Sequence, residues 1–268
     1  MLQRQISGDG VVTYVSPLLR EIGVPHAFST RLGGVSAKPF DSLNLGNPNG
    51  CAIQDPREHI RENYRRLKRA AGCDGRDLLW LHQVHGGVVV RVARGGGHDN
   101  DAKADALVSD DAERVLSVRV ADCVPVLLSG DDGRVVAAVH AGWRGVVAGV
   151  VSEAMKELVQ TSGVEPGRVA AAIGPSIGFD AFEVGPEVLE EFERVFGAAA
   201  PIRLRDDGKG HIDLHEAIRI QLRAAGVRES RIDTTNRCTY RHVDEFYSHR
   251  RDNGVSGRMA AIISPASR

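Results

Sequence analysis

A cysteine and a histidine lie at the two ends of a predicted hairpin, and both side chains can bind a metal or transfer a proton. Cys123 precedes one apolar stretch, the chain turns at Gly-Asp-Asp-Gly (130–133), and a second apolar stretch ends at His140. The midpoint of positions 123 and 140 falls inside this turn, so a symmetric hairpin places the two residues opposite each other. Opposed residues have Cβ atoms about 4.5–5.5 Å apart. The spacing therefore predicts one shared site, provided that no one-residue bulge near Pro125 changes the face.

Three chemistries are compatible with this pair. A catalytic zinc site uses three protein ligands and keeps a fourth position open, so it needs one more ligand, for which His85 is the best candidate. Alternatively, His140 activates Cys123 as a nucleophile, as in thiol hydrolases and amidases. In the third, His/Cys/His ligands hold copper. Zinc is favoured because it assigns a role to His85. The spacing alone, however, favours it over the other two chemistries by only a small margin.

The stretch 78–90 is predicted to be a strand interrupted by the glycine pair at 86–87. Period-two alternation puts Gln83 and His85 on one face and His82 on the other. The two histidines are therefore not expected to bind the same ion. A lone strand histidine is more often structural than a ligand, and nothing local distinguishes His85 from that case.

Cationic residues near the hairpin could hold an anion. Apolar residues recur at helical spacing over 146–159, directly after Trp143 and Arg144. A helix N-terminus beside His140, with Arg144 nearby, is an anion-binding arrangement. The alternative is that Trp143 packs at the corner and Arg144 is solvated. Arg31 is next to a Gly-Gly turn. It either lies in a surface loop, which the composition favours, or reaches into the site.

The segment 55–58, Asp-Pro-Arg-Glu, predicts an N-cap, a proline at the first helical position and a capping-box glutamate. The helix that follows is expected to end near Gly72. Its arginines and lysine are interpreted as a solvent-exposed face, because Glu62 interrupts the basic run.

His211 and His215 have the i, i+4 spacing of zinc-binding helices. However, Asp213 and Glu216 form a capping box for a helix over 214–225, so the cap separates the two histidines. We therefore reject a metal site here.

The composition is that of an ordinary soluble protein and excludes several function classes. Hydrophobic residues make up 42% and charged residues 26% of the 268 residues, and no run of eighteen apolar residues predicts a membrane span. The formal net charge is −1, which argues against a nucleic-acid partner. The four cysteines lack CxxC spacing and are expected to be free thiols. The N-terminal residues lack a secretory signal, so we expect a cytoplasmic protein.

Strands and helices alternate along the chain, with some antiparallel strand pairs. This pattern predicts an α/β (α+β mixed) fold in a single domain over 1–268. We expect a monomer or a homodimer.

The sequence resembles the laccase-domain, or polyphenol oxidase, family of purine nucleoside phosphorylases, which includes proteins described as peptidoglycan editing factors. The resemblance covers nearly the whole chain, and its motifs are highly specific in combination. They are Phe-Ser-Thr-Arg (28–31), Gly-Gly-Val-Ser (33–36), Ser-Leu-Asn-Leu-Gly (42–46), Gln-Val-His-Gly (83–86), Ala-Asp-Ala-Leu (104–107), Ala-Asp-Cys-Val-Pro-Val-Leu-Leu (121–128), His-Ala-Gly-Trp-Arg-Gly (140–145), Ile-Gly-Pro-Ser-Ile (173–177) and the tail 250–259.

The resemblance implies a zinc site formed by His85, Cys123 and His140. It also implies a layered fold of mixed β-sheets flanked by helices. The implied activities are phosphorolysis of adenosine, inosine and S-methyl-5′-thioadenosine, with adenosine deamination as a side activity, so the implied partners are purine nucleosides and phosphate.

The chain departs from the family pattern over 178–184, where members commonly have a Cys-Tyr-Glu-Val run. His215 and His249 also stand where aromatic residues are commoner. The three implied ligands are unchanged, so these differences affect substrate preference.

With zinc bound, we expect the metal to activate a water or phosphate oxygen. Arg31, Arg144 and Arg250 are expected to neutralise the phosphate that attacks the ribose C1′. Asp122 and Asn44 are expected to orient the ligands or the ribose.

Other functions compete with this one. A Cys/His amidase that edits cell-wall peptides needs no metal, and a zinc-binding partner protein needs no turnover. A copper-dependent polyphenol oxidase is less well supported, because a multi-copper site needs many histidines and this chain has ten in total, none in a His-x-His pair.

Overall fold

The computed structural model describes residues 1–48 and 50–267, in which two six-stranded sheets and one three-stranded sheet are formed. In chain order the strands are β1 (Gln3–Ile6), β2 (Val12–Val15), β3 (His26–Ser29), β4 (Asp77–Leu79), β5 (Val89–Val92), β6 (Ala106–Ser109), β7 (Arg114–Val120), β8 (Val124–Ser129), β9 (Val136–Ala141), β10 (Ala170–Ile173), β11 (Glu183–Val184), β12 (Ile202–Leu204), β13 (Gly210–Ile212), β14 (Ile232–Asp233) and β15 (Met259–Ile263).

The first large sheet has the order β1-β2-β3-β15-β7-β4 and the second has the order β14-β10-β8-β9-β6-β5. Both are mixed sheets, because β4 runs parallel to β7, β5 to β6, and β10 to β14, while their other neighbours are antiparallel. The small sheet, β11-β13-β12, is antiparallel.

The helices are α1 (Pro17–Glu21), α2 (Arg57–Ala70), α3 (Trp143–Val147), α4 (Val150–Ser162), α5 (Pro186–Phe196) and α6 (Leu214–Ala224). In the part of the chain that the structure describes, no helix is long and apolar enough to span a bilayer.

The two large sheets pack face to face, and helices cover their outer faces. Leu116 of β7 and Leu127 of β8 belong to the cluster between the sheets. Leu67 of α2 covers the outer face of the first sheet, and Leu158 of α4 and Ile218 of α6 cover the outer face of the second. Strands buried on both faces are apolar throughout instead of alternating, which is the pattern of β8 and β9. The predicted mixed fold of β-sheets flanked by helices is confirmed.

The β8–β9 hairpin forms, but its register differs from the prediction by two residues. His140 is opposite Pro125, and Gly130 N–H donates to the Val135 carbonyl at 3.1 Å, so four residues form the turn. The turn therefore consists of residues 131–134, one residue later than the predicted 130–133. A shift of two residues keeps every side chain on its original face. Cys123, just before β8, thus lies diagonally from His140 instead of directly opposite.

Two predicted elements are broken in the structure. The stretch 78–90 is β4, a loop and β5, because the chain leaves the first sheet after Leu79 and enters the second at Val89. The helix expected over 146–159 begins earlier, at Trp143, and is divided into α3 and α4 at Gly149, whose φ of 77° is left-handed.

The cap predicted for α2 is wrong, although the helix is present. The Asp55 carboxylate accepts hydrogen bonds from Ser36 and Asn44 and contacts His59, and no side chain caps the helix at Pro56. The N-cap predicted for α6 is confirmed, because the Asp213 carboxylate accepts from the Glu216 backbone N–H. The predicted capping box is not closed, because the Glu216 carboxylate accepts from Arg219 and Arg223, and the Asp213 N–H donates to the Pro201 carbonyl.

Candidate metal centre

Three potential metal ligands converge where strands of the second sheet end. The ligand atoms of His85, Cys123 and His140 all lie within 4.8 Å of one another. The two imidazole rings meet edge to face, with centroids 4.8 Å apart. His140 is buried, Cys123 is half-buried and His85 is exposed, so the group opens to solvent on the His85 side.

The strand register explains why these residues meet. In β9, His140 lies between β6 and β8, which are its two neighbours. Cys123 directly precedes β8 on one side, and Asp105 directly precedes β6 on the other. The His140 N–H donates to the Asp105 carbonyl at 2.7 Å, which continues the β6–β9 pairing by one residue. Strand ends that are adjacent in one sheet therefore carry the thiol, the imidazole and a carboxylate.

Asp105 is a site residue that the sequence reasoning did not identify. It is fully buried, and its Oδ1 accepts from His140 Nδ1 at 2.8 Å and from the His85 backbone N–H at 2.9 Å. Its Oδ2 accepts from the Gly86 N–H at 2.7 Å. Two signals in the sequence pointed to it: its place in the motif Ala-Asp-Ala-Leu (104–107), and an aspartate at the start of an apolar strand, since a buried carboxylate needs donors.

Asp105 also positions the loop that carries His85. His85 has a φ of 61°, a left-handed conformation that is uncommon for residues other than glycine. Three consecutive backbone N–H groups of this loop, from Val84 to Gly86, point at the one carboxylate. Because the third ligand comes from a loop wrapped around a buried anion, strand alternation could not have predicted its direction.

Gly142 leaves the space in which the ligands approach each other. A Cβ atom at this position would lie 2.9 Å from His85 Cδ2 and 3.0 Å from Cys123 Sγ. The φ of Gly142 is −72°, which any residue can adopt, so the requirement is for space and not for an unusual backbone.

The charges of the thiol and the imidazole stabilise each other. Burial alone would raise the pKa of Cys123, but the adjacent His140 and His85 rings outweigh it and lower this pKa to about 6. Burial would likewise lower the pKa of His140, but Cys123 and Asp105 raise it to about 9. Burial would raise the pKa of Asp105, but the hydrogen bonds from His140 and from the loop outweigh this effect and hold the pKa below its usual value. The Cys123 thiol and the His140 imidazole therefore each favour the charged form of the other.

The donor set fits a metal ion. One thiolate and two imidazoles are ligands that zinc accepts in catalytic sites. The hydrogen bond from His140 Nδ1 to Asp105 leaves Nε2 as the free ring nitrogen, as in carboxylate–histidine–metal arrangements. His82 lies outside this group of three, as expected, although it lines the adjacent cavity.

A cavity of about 300 Å³ opens onto the three ligands. This volume lies at the lower end of the range for small-molecule sites. Two of its lining side chains are cationic, Arg119 and Arg258. Among the described residues the lining consists of Asn47, His82, Gln83, His85, Arg119, Ala121, Cys123, His140, His249 and Arg258.

The arginines expected to neutralise phosphate are not part of this lining. Arg144 is exposed, and its guanidinium stacks on Trp143 at 4.2 Å from the ring centroid. Arg31 donates to the Asp41 and Val243 carbonyls. Arg250 donates to the Glu183 carbonyl.

The two residues expected to orient ligands hold other parts of the chain. The Asp122 carboxylate accepts from Thr239 Oγ1 at 2.6 Å, from Ser248 Oγ at 3.0 Å and from the Arg250 N–H at 2.7 Å. Asn44 is buried, and its Oδ1 accepts from the Arg258 N–H at 2.8 Å. Both therefore act on the cavity indirectly, by positioning the segment that supplies His249 and Arg258.

The sequence is similar to a known protein family over most of its length. A family model described as multi-copper polyphenol oxidoreductase laccase matches residues 25–266. The purine nucleoside phosphorylase YfiH of Escherichia coli (strain K12) is 40% identical over 241 residues, which cover 90% of this chain and 93% of that protein. A purine nucleoside phosphorylase of Deinococcus radiodurans is 39% identical over 249 residues, 92% of each chain.

The fold is also similar to solved structures. The crystal structure of YlmD from Geobacillus stearothermophilus superposes with a TM-score of 0.88 at 30% identity, covering 98% of this chain and 99% of that one. The crystal structure of a Bacillus licheniformis hypothetical protein, YfiH, gives a TM-score of 0.86 at 27% identity, covering 98% of each chain.

Proposed function

The chain belongs to the family described as multi-copper polyphenol oxidoreductase laccase, and within that family we propose that it is a metal-dependent purine nucleoside phosphorylase. Its proposed substrates are adenosine, inosine and S-methyl-5′-thioadenosine, with adenosine deamination as a side activity. The observation that carries the proposal is the His85, Cys123 and His140 group at the end of a cavity that also contains two arginines. The activity named for the relatives supports it.

Zinc is the proposed ion, held by His85, Cys123 and His140. When bound, it would supply Lewis acidity and lower the pKa of an oxygen ligand. Trigonal His/Cys/His copper sites commonly have a weak further ligand from methionine or glutamine. Among the residues that the structure describes, no methionine lines the cavity, and the side-chain amide of Gln83 is held by two hydrogen bonds to the Arg119 backbone.

The protein's own residues supply the remaining parts of the mechanism. Arg258 and Arg119 provide guanidinium groups in the cavity, where they can hold phosphate by charge-assisted hydrogen bonds. Asp105 holds the His140 ring in one tautomer and one orientation. Holding both reactants in one small cavity lowers the entropic barrier to attack at the ribose C1′.

Steady-state kinetics of base release test this assignment. Arg258→Gln should raise the KM for phosphate more than the KM for inosine, and Arg258→Lys should restore part of the loss because it keeps the charge. Arg144→Ala, on the exposed side of α3, is the matched control and should leave both constants unchanged. Base release that does not depend on phosphate in the wild type would reject the phosphorylase function.

One observation favours a second candidate, a metal-independent thiol amidase. Cys123, His140 and Asp105 are arranged in the order of a nucleophile, a base and an orienting carboxylate. Chelation distinguishes the two functions. An amidase would keep its activity after metal removal and lose it on alkylation of Cys123, whereas the phosphorylase should stop on metal removal and recover with added zinc.

A further inference from the structure

A second, larger cavity adjoins the candidate metal centre. It has a volume of about 900 Å³ and shares Asn47, His82 and Arg119 with the cavity at the metal ligands. One molecule could therefore occupy both. We refer to this second cavity as the basic cleft.

The basic cleft concentrates positive charge in a protein whose net charge is −1. Its lining contains five cationic side chains and one carboxylate, Asp101, which gives a local charge of +4 with histidines neutral. The cationic residues are Arg57, Arg61, Arg65, Lys68 and Arg119.

Helix geometry arranges four of these cations in a row. Positions 57, 61, 65 and 68 are spaced by four, four and three residues, so they lie on one face of α2. From Arg57 to Lys68 the row is about 16 Å long. Arg66 and Arg69 point elsewhere, to the Gly33 carbonyl and to acidic side chains outside the cleft.

Few of these charges are neutralised by the protein. Glu62 pairs with Arg65 and Arg66. Within the described residues, no carboxylate lies within ion-pair distance of Arg57, Arg61, Lys68 or Arg119. The sequence-based interpretation of this helix as a merely solvated face is therefore incomplete, because Glu62 neutralises only one residue of the row.

An aromatic side chain completes the cleft. Trp80 is 36% exposed, and its backbone is fixed by hydrogen bonds to Asn100 and His98. The Trp80 ring thus forms an apolar part of the cleft wall, beside the cations that can contact phosphate groups.

We propose that the basic cleft binds the phosphate groups of 5′-phosphorylated purine nucleosides, whose base and ribose occupy the cavity at the metal ligands. Arg119, which lines both cavities, lies where the two parts of such a ligand join. The chain then accepts nucleotides as well as nucleosides. This proposal rests on the proposed phosphorylase function for the placement of the ribose, and it extends the substrate class.

Calorimetric titration of the full-length protein with adenosine and with ADP tests the proposal. The wild type should bind ADP about 10-fold or more tightly than adenosine at low salt, and the preference should shrink as ionic strength rises. Arg57→Ala/Arg61→Ala should remove most of this preference and leave adenosine affinity unchanged. Arg69→Ala/Arg194→Ala, with the same change in net charge on surfaces outside the cleft, should keep it.

Equal affinities for ADP and adenosine in the wild type would overturn the proposal. So would equal weakening of both ligands by the Arg57/Arg61 variant, or tighter binding of a single-stranded oligonucleotide than of ADP. Base release from adenosine is measured on the same samples. A protein that prefers ADP but releases no base contradicts the phosphorylase function alone, whereas base release without a preference for ADP contradicts the cleft alone.

Discussion

Asp105 is the residue that connects the imidazole of one candidate ligand to the backbone of another. Its carboxylate accepts from His140 Nδ1 and from the N–H groups of His85 and Gly86. A neutral amide at this position would present an N–H to at least one of those donors and would no longer stabilise the charge on His140.

We predict that Asp105→Asn lowers metal affinity by about 10–100-fold. Competition with a chromophoric zinc chelator measures the effect, and far-UV circular dichroism checks that the fold is kept. Asp101→Asn, four residues earlier and exposed, is the control and should bind metal like the wild type. Unchanged affinity in Asp105→Asn would show that its carboxylate does not support the ligands.

Gly142 offers a steric test of the same centre. Gly142→Ala should weaken metal binding by about 1–3 kcal/mol, or roughly 5–150-fold, because the new methyl group would press on His85 and Cys123. Its backbone conformation suits alanine, and the exposed His85 ring can move away from the methyl group when no metal holds it, so the thermal stability of the metal-free protein should change less than the metal affinity.

Gly97→Ala is the matched control, because a Cβ there meets no atom within 4 Å. If Gly142→Ala binds metal as tightly as this control, the three ligands do not close around one ion in the way the structure indicates.

At the scale of elements, the site is built from the ends of β6, β8 and β9, and a returning segment closes it. Asp122, directly before Cys123, accepts three hydrogen bonds from residues 239–250. This segment supplies His249 to the cavity. The hairpin thus fixes the segment through a residue next to a candidate ligand.

We predict that Asp122→Asn loosens this segment without releasing metal. Asparagine tolerates the φ of 89° at this position but loses part of the acceptor capacity. Amide hydrogen exchange in 246–252 should become faster, the KM for nucleoside should rise, and zinc content should stay the same. Asp244→Asn, exposed in the same segment, is the control. Exchange that matches the wild type would remove Asp122 from this role.

The types of the elements could be predicted where they depend on neighbouring residues. The directions of side chains could not be predicted where they depend on residues far away in the sequence. The apolar stretches around Cys123 and His140 correctly predicted a hairpin, but its turn is formed by residues 131–134 and not 130–133, so the register differed by two residues. The conformation of the loop at His85 depends on hydrogen bonds to the Asp105 carboxylate, which is twenty residues away in the sequence. The periodicity of apolar residues cannot predict such a contact. The helix start was predicted at position 146, whereas α3 begins at Trp143 and includes Arg144.

At the scale of the whole molecule, two facing sheets with helices outside give every strand of the site a buried support on both faces. The layered arrangement was implied by the family resemblance and not by the alternation of elements. The basic cleft could not be seen in the sequence, because it requires α2 to lie beside Trp80 and Arg119, which are distant along the chain.

Buried His26 in β3 should make global stability depend on pH. Burial, partly offset by its hydrogen bond to the Val24 carbonyl, lowers the pKa of His26 from 6.5 to about 4. The unfolded chain therefore binds a proton that the folded chain excludes. This contribution is complete above pH 6.5 and is lost as pH falls toward 4, a loss of about 3 kcal/mol.

Urea unfolding of the wild type and of His26→Gln between pH 4 and 7 measures this contribution. Glutamine can still accept the hydrogen bond that Ser16 N–H gives to His26 Nε2. The free energy of unfolding should fall less steeply with decreasing pH in the variant, whatever its stability at pH 7. Parallel curves would contradict a lowered pKa for His26.

Whether a zinc ion bound by Cys123 is needed for phosphorolysis is tested by measuring metal content together with phosphate-dependent base release. We expect about one zinc per chain and release of free base from inosine only when phosphate is present. Cys123→Ala should lose both, and Cys73→Ala, which removes a free thiol in the apolar cluster under α2, should keep both. A wild-type protein that releases base in the presence of phosphate but contains no metal, or a Cys123→Ala variant that keeps full activity, would contradict the account.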